Sequence, residues 1–190
     1  MRSRWRGAGV AAVIASAASA GALLMYSHTL GYGFDYDDYH FIRPYPVTEL
    51  RAAFSGPWDP AGIEVPFYRP LTIAFYAARF ELFGLDAEAH HAVSLVLFAL
   101  AAALAGAVAW QATRRPAVAV AATTLFVVHP AMPYALVAWI TNQMHLIETI
   151  VVLVALLWWH AVRAKPPAWW LPLLGLAAAA FMIKEDGVML

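Results

Sequence analysis

Residues 89–110 read AHHAVSLVLFALAAALAGAVAW and contain no Asp, Glu, Lys or Arg. A helix that crosses a membrane needs about 20 mostly apolar residues, because each advances about 1.5 Å through about 30 Å of hydrocarbon. This segment is long enough, and it sets the class: an α-helical membrane protein. The rest of the chain agrees. Its 190 residues are 63% hydrophobic and 13% charged, with a mean hydropathy of +0.65. A soluble domain carries about 25% charged residues. Net charge is zero, so there is no overall basic field and nucleic acid is not an expected partner. The absence of cysteine removes disulfides, thiolate metal sites, iron–sulfur clusters and thiol nucleophiles.

Four further apolar stretches flank this one, over about 7–30, 116–138, 141–162 and 168–183. His129-Pro130 and Pro133 interrupt the run over 116–138. The expected fold is therefore all-α and polytopic, with about five transmembrane helices and two interfacial helices in the first outer loop. The first stretch has a second reading. Arg2, Arg4 and Arg6 form a basic start and Ala18-Ser19-Ala20 is an A-x-A site, which together fit a cleaved signal peptide. Against that, the apolar run continues through Met25 and becomes long enough to span.

Charge sets the expected orientation. Segments 1–7, 111–116 and 161–167 carry Arg2, Arg4, Arg6, Arg114, Arg115, Arg163 and Lys165 and no acid. The positive-inside rule puts all three in the cytoplasm, with the N-terminus there too. In a bacterium the membrane would be the plasma (inner) membrane. Residues 31–88 then form an outer loop with nine acids and four arginines, a net charge of −5. Trp139, Trp158, Trp159, Trp169 and Trp170 fall near helix ends, as interfacial anchors do.

The outer loop has its own pattern. Val47, Leu50 and Phe54 recur at helical spacing after Pro46. Ser55-Gly56-Pro57 stops that helix, and 58–66 reads as irregular. Pro70 suits the first turn of a helix reaching about Phe83, with Leu71, Phe75 and Leu82 on one broad face and Arg79 and Glu81 elsewhere. Gly84 suits its C-terminal stop, and Asp86 suits the N-cap of the next helix, with Glu88 in its first turn.

Ionisable groups in or beside a bilayer are costly and need a reason. Asp35, Asp37 and Asp38 place three carboxylates within four residues. They suit a general base, a divalent cation or a cationic partner, and equally the solvated cap of a helix. Arg69, just before a helix start, suits an anion, or a lipid headgroup. His129-Pro130 frees a backbone carbonyl for a cavity, or simply ends a helix. Asn142, His145 and Glu148 share one side of a helix that should face the bundle or a wet cavity. Lys184-Glu185-Asp186 ends the last apolar run. All of these clusters fall on one membrane face.

The order of these segments resembles a family. Asp37-Asp38, Tyr68-Arg69-Pro70-Leu71, Leu82-Phe83-Gly84-Leu85, His90-His91, His129-Pro130, Val137-Ala138-Trp139 and Lys184-Glu185-Asp186-Gly187 follow one another across most of the chain. The pattern is similar to the N-terminal part of the GT-C membrane glycosyltransferases, in the protein O-mannosyltransferase-like branch that includes the transmembrane TPR-containing transferases. The resemblance implies transfer of a sugar from a polyprenyl-phosphate donor to a protein, lipid or glycan acceptor on the outer face, with inversion. It would make Asp37 or Asp38 the base and would put Arg69 and Lys184 near the donor phosphate. Glu185 joins His129, Asn142, His145 and Glu148 as further cavity candidates. No metal or other cofactor is assigned, although the acids at Asp37 and Asp38 suit a divalent cation.

One departure stands out. Related sequences often carry a Gly-Arg-x-acid run where this chain has Asn142-Gln143-Met144-His145. The family also has further membrane helices, so the stop at Leu190 reads as a piece of a longer enzyme. A contrasting expectation from another class is a non-catalytic membrane protein: a lipid-carrier binder, a transporter fragment or an assembly scaffold. Transporters more often show paired repeats with broken helices, and no repeat is visible in this sequence.

Overall fold

The computed structural model describes residues 2–56, 67–129 and 133–185. The stretch expected to be irregular at 58–66, Pro130, and the pair Asp186-Gly187 lie outside these residues. Within them the chain is helical, with no strand. In order, the helices are α1 (Arg2–Tyr26), α2 (Asp38–Phe41), α3 (Val47–Ala53), α4 (Pro70–Phe83), α5 (Ala87–Thr113), α6 (Pro116–Val128), α7 (Pro133–Ala138), α8 (Gln143–Val162) and α9 (Leu171–Ile183). Short 3-10 turns at Ser27–Gly31, Ile140–Asn142 and Pro167–Trp170 extend or precede α1, α8 and α9.

Among the described residues, three stretches are long and apolar enough to cross a membrane: Gly9–Gly31, Ala87–Thr113 and Ile140–Val162. Pro116–Val128 and Pro167–Ile183 are apolar but shorter. The 13 residues of α6 rise only about 20 Å. The helix breaks at His129 and resumes at Pro133, as the sequence predicts for 116–138.

Local signals explain several boundaries. The Asp86 carboxylate accepts the Ala89 N–H at 3.1 Å and so caps α5. Gly84 closes α4 at φ +54°, a backbone position that costs a side-chain-bearing residue. At the other end of α5 the chain turns through Arg114 at φ +56°, and Pro116 occupies the first turn of α6.

Alanine and glycine set the packing of the long helices. Ala18, Ala22, Ala101, Ala102 and Ala119 are buried, and small residues let helix backbones approach. Gly106 is the tightest point. A methyl group there would collide with the Thr123 hydroxyl and come within 3.0 Å of Ile14 and 3.1 Å of the Ala119 carbonyl. Tyr26 reaches across to α6, where its hydroxyl donates to the Val127 carbonyl at 3.0 Å, and its ring meets Phe98 edge-on. At the far end of α8, the Trp158 indole donates to the Trp169 carbonyl at 2.9 Å. Ser94 on α5 meets Gln143 at the start of α8. Arg114 and Arg115 follow the C-terminal end of α5, and Arg163 and Lys165 that of α8.

A second core lies around α2, α3 and α4: Phe41, Ile42, Tyr45 and Ala53 pack on Ile73, Tyr76, Ala77 and Ile140. Two expectations need correction here. On α4, Phe75 packs partly buried against this core and Leu71 is half-buried, but Leu82 is 73% exposed. Thr72, Ile73, Tyr76, Ala77 and Arg79 face inward. Thr72 and two of the Arg79 guanidinium nitrogens find polar partners inside the protein, where an apolar-stripe rule sends both residues to solvent. In α3, Leu50 and Ala53 turn inward while Val47 and Phe54 stay exposed.

Candidate functional site

The segment around α2, the start of α4, the turn before α8 and the end of α9 converge. Asp38 opens α2 and is fully buried. Its Oδ1 accepts the Thr141 N–H at 2.8 Å and its Oδ2 accepts the Asp35 N–H at 3.1 Å. Burial pushes this carboxyl above its ordinary range, and the N–H groups of Asp35 and Thr141 pull it back. Asp38 thus clamps residues 35–38 to the turn before α8. Its neighbour Asp37 is half-buried, and its backbone carbonyl accepts the N–H groups of His40 and Phe41 at 2.9 and 3.1 Å.

Arg69 sits one residue before α4 and is 5% exposed. Its guanidinium forks onto Glu185, with Nε donating to Oε2 at 2.7 Å and Nη2 to Oε1. It lies over the Phe67 ring at 4.4 Å and donates through Nη1 to the Met144 sulfur at 3.3 Å. The Arg69 hydrogen bonds hold the Glu185 carboxyl below its ordinary range. Lys184, next in the chain, is buried. Thr72 donates to the Ile183 carbonyl at 2.7 Å, so α4 and the end of α9 are joined twice.

Two residues carry the network inward. The fully buried Tyr76 donates its hydroxyl to the Thr141 carbonyl, and burial raises its pKa. Arg79, 3% exposed, donates to the Gln143 side-chain oxygen and, at 2.7 Å, to the His90 carbonyl. Gln143 in turn donates to the same carbonyl at 3.2 Å and to the Ser94 hydroxyl. Arg79 Nε has no hydrogen-bond partner among the described residues. Burial brings its pKa down to about 10, and the charge on Asp38 opposes that shift. The ring nitrogens of His91 face the carbonyls of Val137 and Gly33, each at 3.3 Å.

The predicted residues divide accordingly. Asp38, Arg69, Lys184 and Glu185 come to this region, and Asp37 lies beside Asp38. Asn142 precedes α8 in the 3-10 turn; it, His145 and Glu148 are half-buried, while Gln143, Met144 and Leu146 are buried near the helix start. His129 ends α6 and is exposed. Among the described residues no three His, Asp or Glu side chains gather as a metal-ligand group.

Thr72, Tyr76, Arg79 and Gln143 escape the sequence reading. A signal for three of them exists: Arg69, Thr72, Tyr76 and Arg79 recur at spacings of three and four on an otherwise apolar helix, a polar stripe in place of an apolar one. Gln143 has none beyond its place beside Asn142. Comparison of the chain with protein-family models, curated proteins and solved structures gives no match.

Proposed function

We propose that this chain is the membrane module of a glycosyltransferase that moves a sugar from a polyprenyl phosphate to an acceptor hydroxyl at the membrane face opposite the N-terminus. One observation carries the reading. A carboxylate turn at Asp37-Asp38 and a buried arginine at Arg69 meet at one bundle end, linked through Thr141 and Met144 at the start of α8. Thr141 and Met144 are three residues apart in sequence, so both charged groups are anchored at the start of α8.

Such a pair suits the chemistry. The acceptor oxygen forms a bond to the anomeric carbon, and its proton passes to the Asp37 carboxylate. The bond from that carbon to the phosphate oxygen breaks, with its electron pair leaving on the polyprenyl phosphate. The leaving group is already an anion, so a nearby cation helps more than a strong acid. Arg69 and Lys184 supply that charge. Asp37 suits the base better than Asp38, because two backbone N–H groups already occupy the Asp38 oxygens.

The same reading has five membrane passes, with α6–α7 and the 3-10 turn plus α9 completing the three long spans, α3 and α4 on the outer side, and the N-terminus in the cytoplasm. It rests on the basic residues that follow the far ends of α5 and α8. Because the chain has no cysteine, a single introduced cysteine reports sidedness cleanly. Labelling from outside at position 115 but not at position 59 would overturn the orientation.

Function is tested by measuring donor binding and transfer separately, in the complete protein. Asp37→Asn should lower transfer by about 10²–10⁴-fold with donor binding intact. Arg69→Ala should weaken donor binding by about 1.5–3 kcal/mol. Normal transfer in both Asp37→Asn and Asp38→Asn, or unchanged donor binding in Arg69→Ala, would sink the assignment. Donor binding without any transfer would favour a lipid-carrier binder.

A further inference from the structure

At the Asp35–Asp38 turn lies a groove of about 590 Å³, lined by Tyr32, Phe34, Asp35 and Trp139 with Gly31 and Gly33 between them. That volume is within the ordinary range for a small-molecule site, about 300–1,000 Å³. Its walls are aromatic and fixed in place. Tyr32 packs edge-on against His28 and the buried His91, at 5.7 and 6.2 Å between ring centres. Phe34 packs edge-on against Tyr39 and the buried His90, at 5.8 and 5.5 Å. Trp139 opens the 3-10 turn that carries Thr141, the residue that holds Asp38. The two glycines leave the groove free of side chains along one strand of backbone, since a methyl group at either would touch nothing within 4 Å.

The groove also has a polar element at its rim. Asp35 is exposed, while its backbone N–H is tied to the Asp38 carboxylate. A carboxylate that can accept hydroxyl protons thus stands beside rigid aromatic faces, two residues from Asp37. Flat rings match the C–H face of a pyranose, and a carboxylate matches its hydroxyl edge. A plain lipid-facing groove looks different. The one between α8 and α9, lined by Ala155, Leu156, Trp159, Leu173 and Ala177, has no ionisable group.

We propose that the Tyr32–Phe34–Asp35–Trp139 groove binds a hexopyranose ring, with the Asp35 carboxylate at its hydroxyl edge. The assignment rests on the transferase reading above and gives it a carbohydrate subsite. The ring could belong to the acceptor glycan or to the donor, and the chemistry of the groove is the same for both.

The test uses the full chain in lipid nanodiscs, because glycoside detergents would compete. Methyl α-mannopyranoside and methyl α-glucopyranoside are titrated by saturation-transfer NMR, with glycerol as a polyol that has no ring face. A polyprenyl phosphate and its hexose ester are titrated in parallel. The expected result is saturable pyranoside binding, or tighter binding of the hexose ester than of the bare phosphate. Trp139→Leu or Asp35→Asn should weaken that sugar-dependent binding by roughly tenfold or more. Asp35→Asn changes only an exposed side chain and keeps the test informative if Trp139→Leu misfolds. Loss confined to free pyranosides marks an acceptor subsite, and loss confined to the hexose ester marks a donor subsite. Sugar-dependent binding that is absent, matched by glycerol, or unchanged in both variants would overturn the proposal. Bare polyprenyl phosphate binding that depends on Arg69 would still stand in that case, so failure of the groove and failure of the phosphate site are separable.

Discussion

Glu185→Gln should make the protein bind a polyprenyl phosphate more tightly, while Arg69→Ala should do the reverse. In the resting structure the fork of Arg69 is filled by the Glu185 carboxylate. An incoming phosphate anion wants the same donors and must displace it. Hydrogen bonds to a charged group contribute about 1.5–3 kcal/mol. The Arg69 side chain is 6% exposed but that of Glu185 is 39% exposed, so water screens the carboxylate and rehydrates it when it leaves. The displacement therefore costs about 1–2 kcal/mol, which corresponds to a factor of roughly 5–30 in affinity. The Thr72–Ile183 hydrogen bond keeps the end of α9 docked when the ion pair opens, so Glu185→Gln should not undo the fold. The assay is titration of a short-chain polyprenyl phosphate into wild type, Glu185→Gln and Arg69→Ala in nanodiscs. Weaker binding by Glu185→Gln would refute the competition and make the carboxylate a brace for the arginine. Unchanged binding by Arg69→Ala would move the phosphate elsewhere.

Other substitutions separate the network from its surroundings, read as melting temperature in nanodiscs. Gln143→Leu strips an acceptor from a buried arginine whose Nε is already unpartnered among the described residues and should cost about 1.5–3 kcal/mol; an equal loss in Asn142→Ala would refute that ranking. Gly106→Val should separate α5 from α6, because a methyl alone already meets Thr123, whereas Gly9→Ala, which meets nothing within 4 Å, should leave stability unchanged. For pH, the Glu185 pKa is lowered from 4.5, so the stability it contributes is complete above that value and is lost as pH falls through its lower folded value. The gap between wild type and Glu185→Gln should close on acidification below pH 4.5; a constant gap would refute the pair's contribution. Asp38, raised from 3.8, has the opposite sign, so its protonation on acidification partly offsets the loss.

The long helices were legible because their signals are local and redundant. Asp86, Gly84, Arg114-Arg115-Pro116 and the His129 break each mark an end by backbone chemistry that needs no tertiary context. The inward faces of α4 and α8 were less legible, because there polar groups are the buried ones. An arginine at position 79 reads as solvent-facing until Gln143 and the His90 carbonyl are known to be waiting for it, 64 and 11 residues away in sequence. Gln143 is buried at the start of α8 by partners on α4 and α5 that are distant in sequence, next to half-buried Asn142. The Ile140–Asn142 turn before it is held by Asp38 through Thr141.

That turn also explains why two adjacent acids need not share a role. Asp38 meets two backbone N–H groups and is sealed from solvent, so moving it would leave the Thr141 and Asp35 N–H groups without acceptors. A group so fixed is a poor proton shuttle and a good mount. Asp37 is carried by that mount, because its own carbonyl is held by the N–H groups of His40 and Phe41 in the first turn of α2. Its side chain therefore projects from a rigid turn while keeping partial access to solvent. Arg79 is the other sealed ion of this end, while Arg69 faces Glu185, the exposed and replaceable partner. The sealed ions hold the architecture, and the solvent-accessible acids Asp37 and Glu185 are the groups able to exchange a proton or give way to an anion.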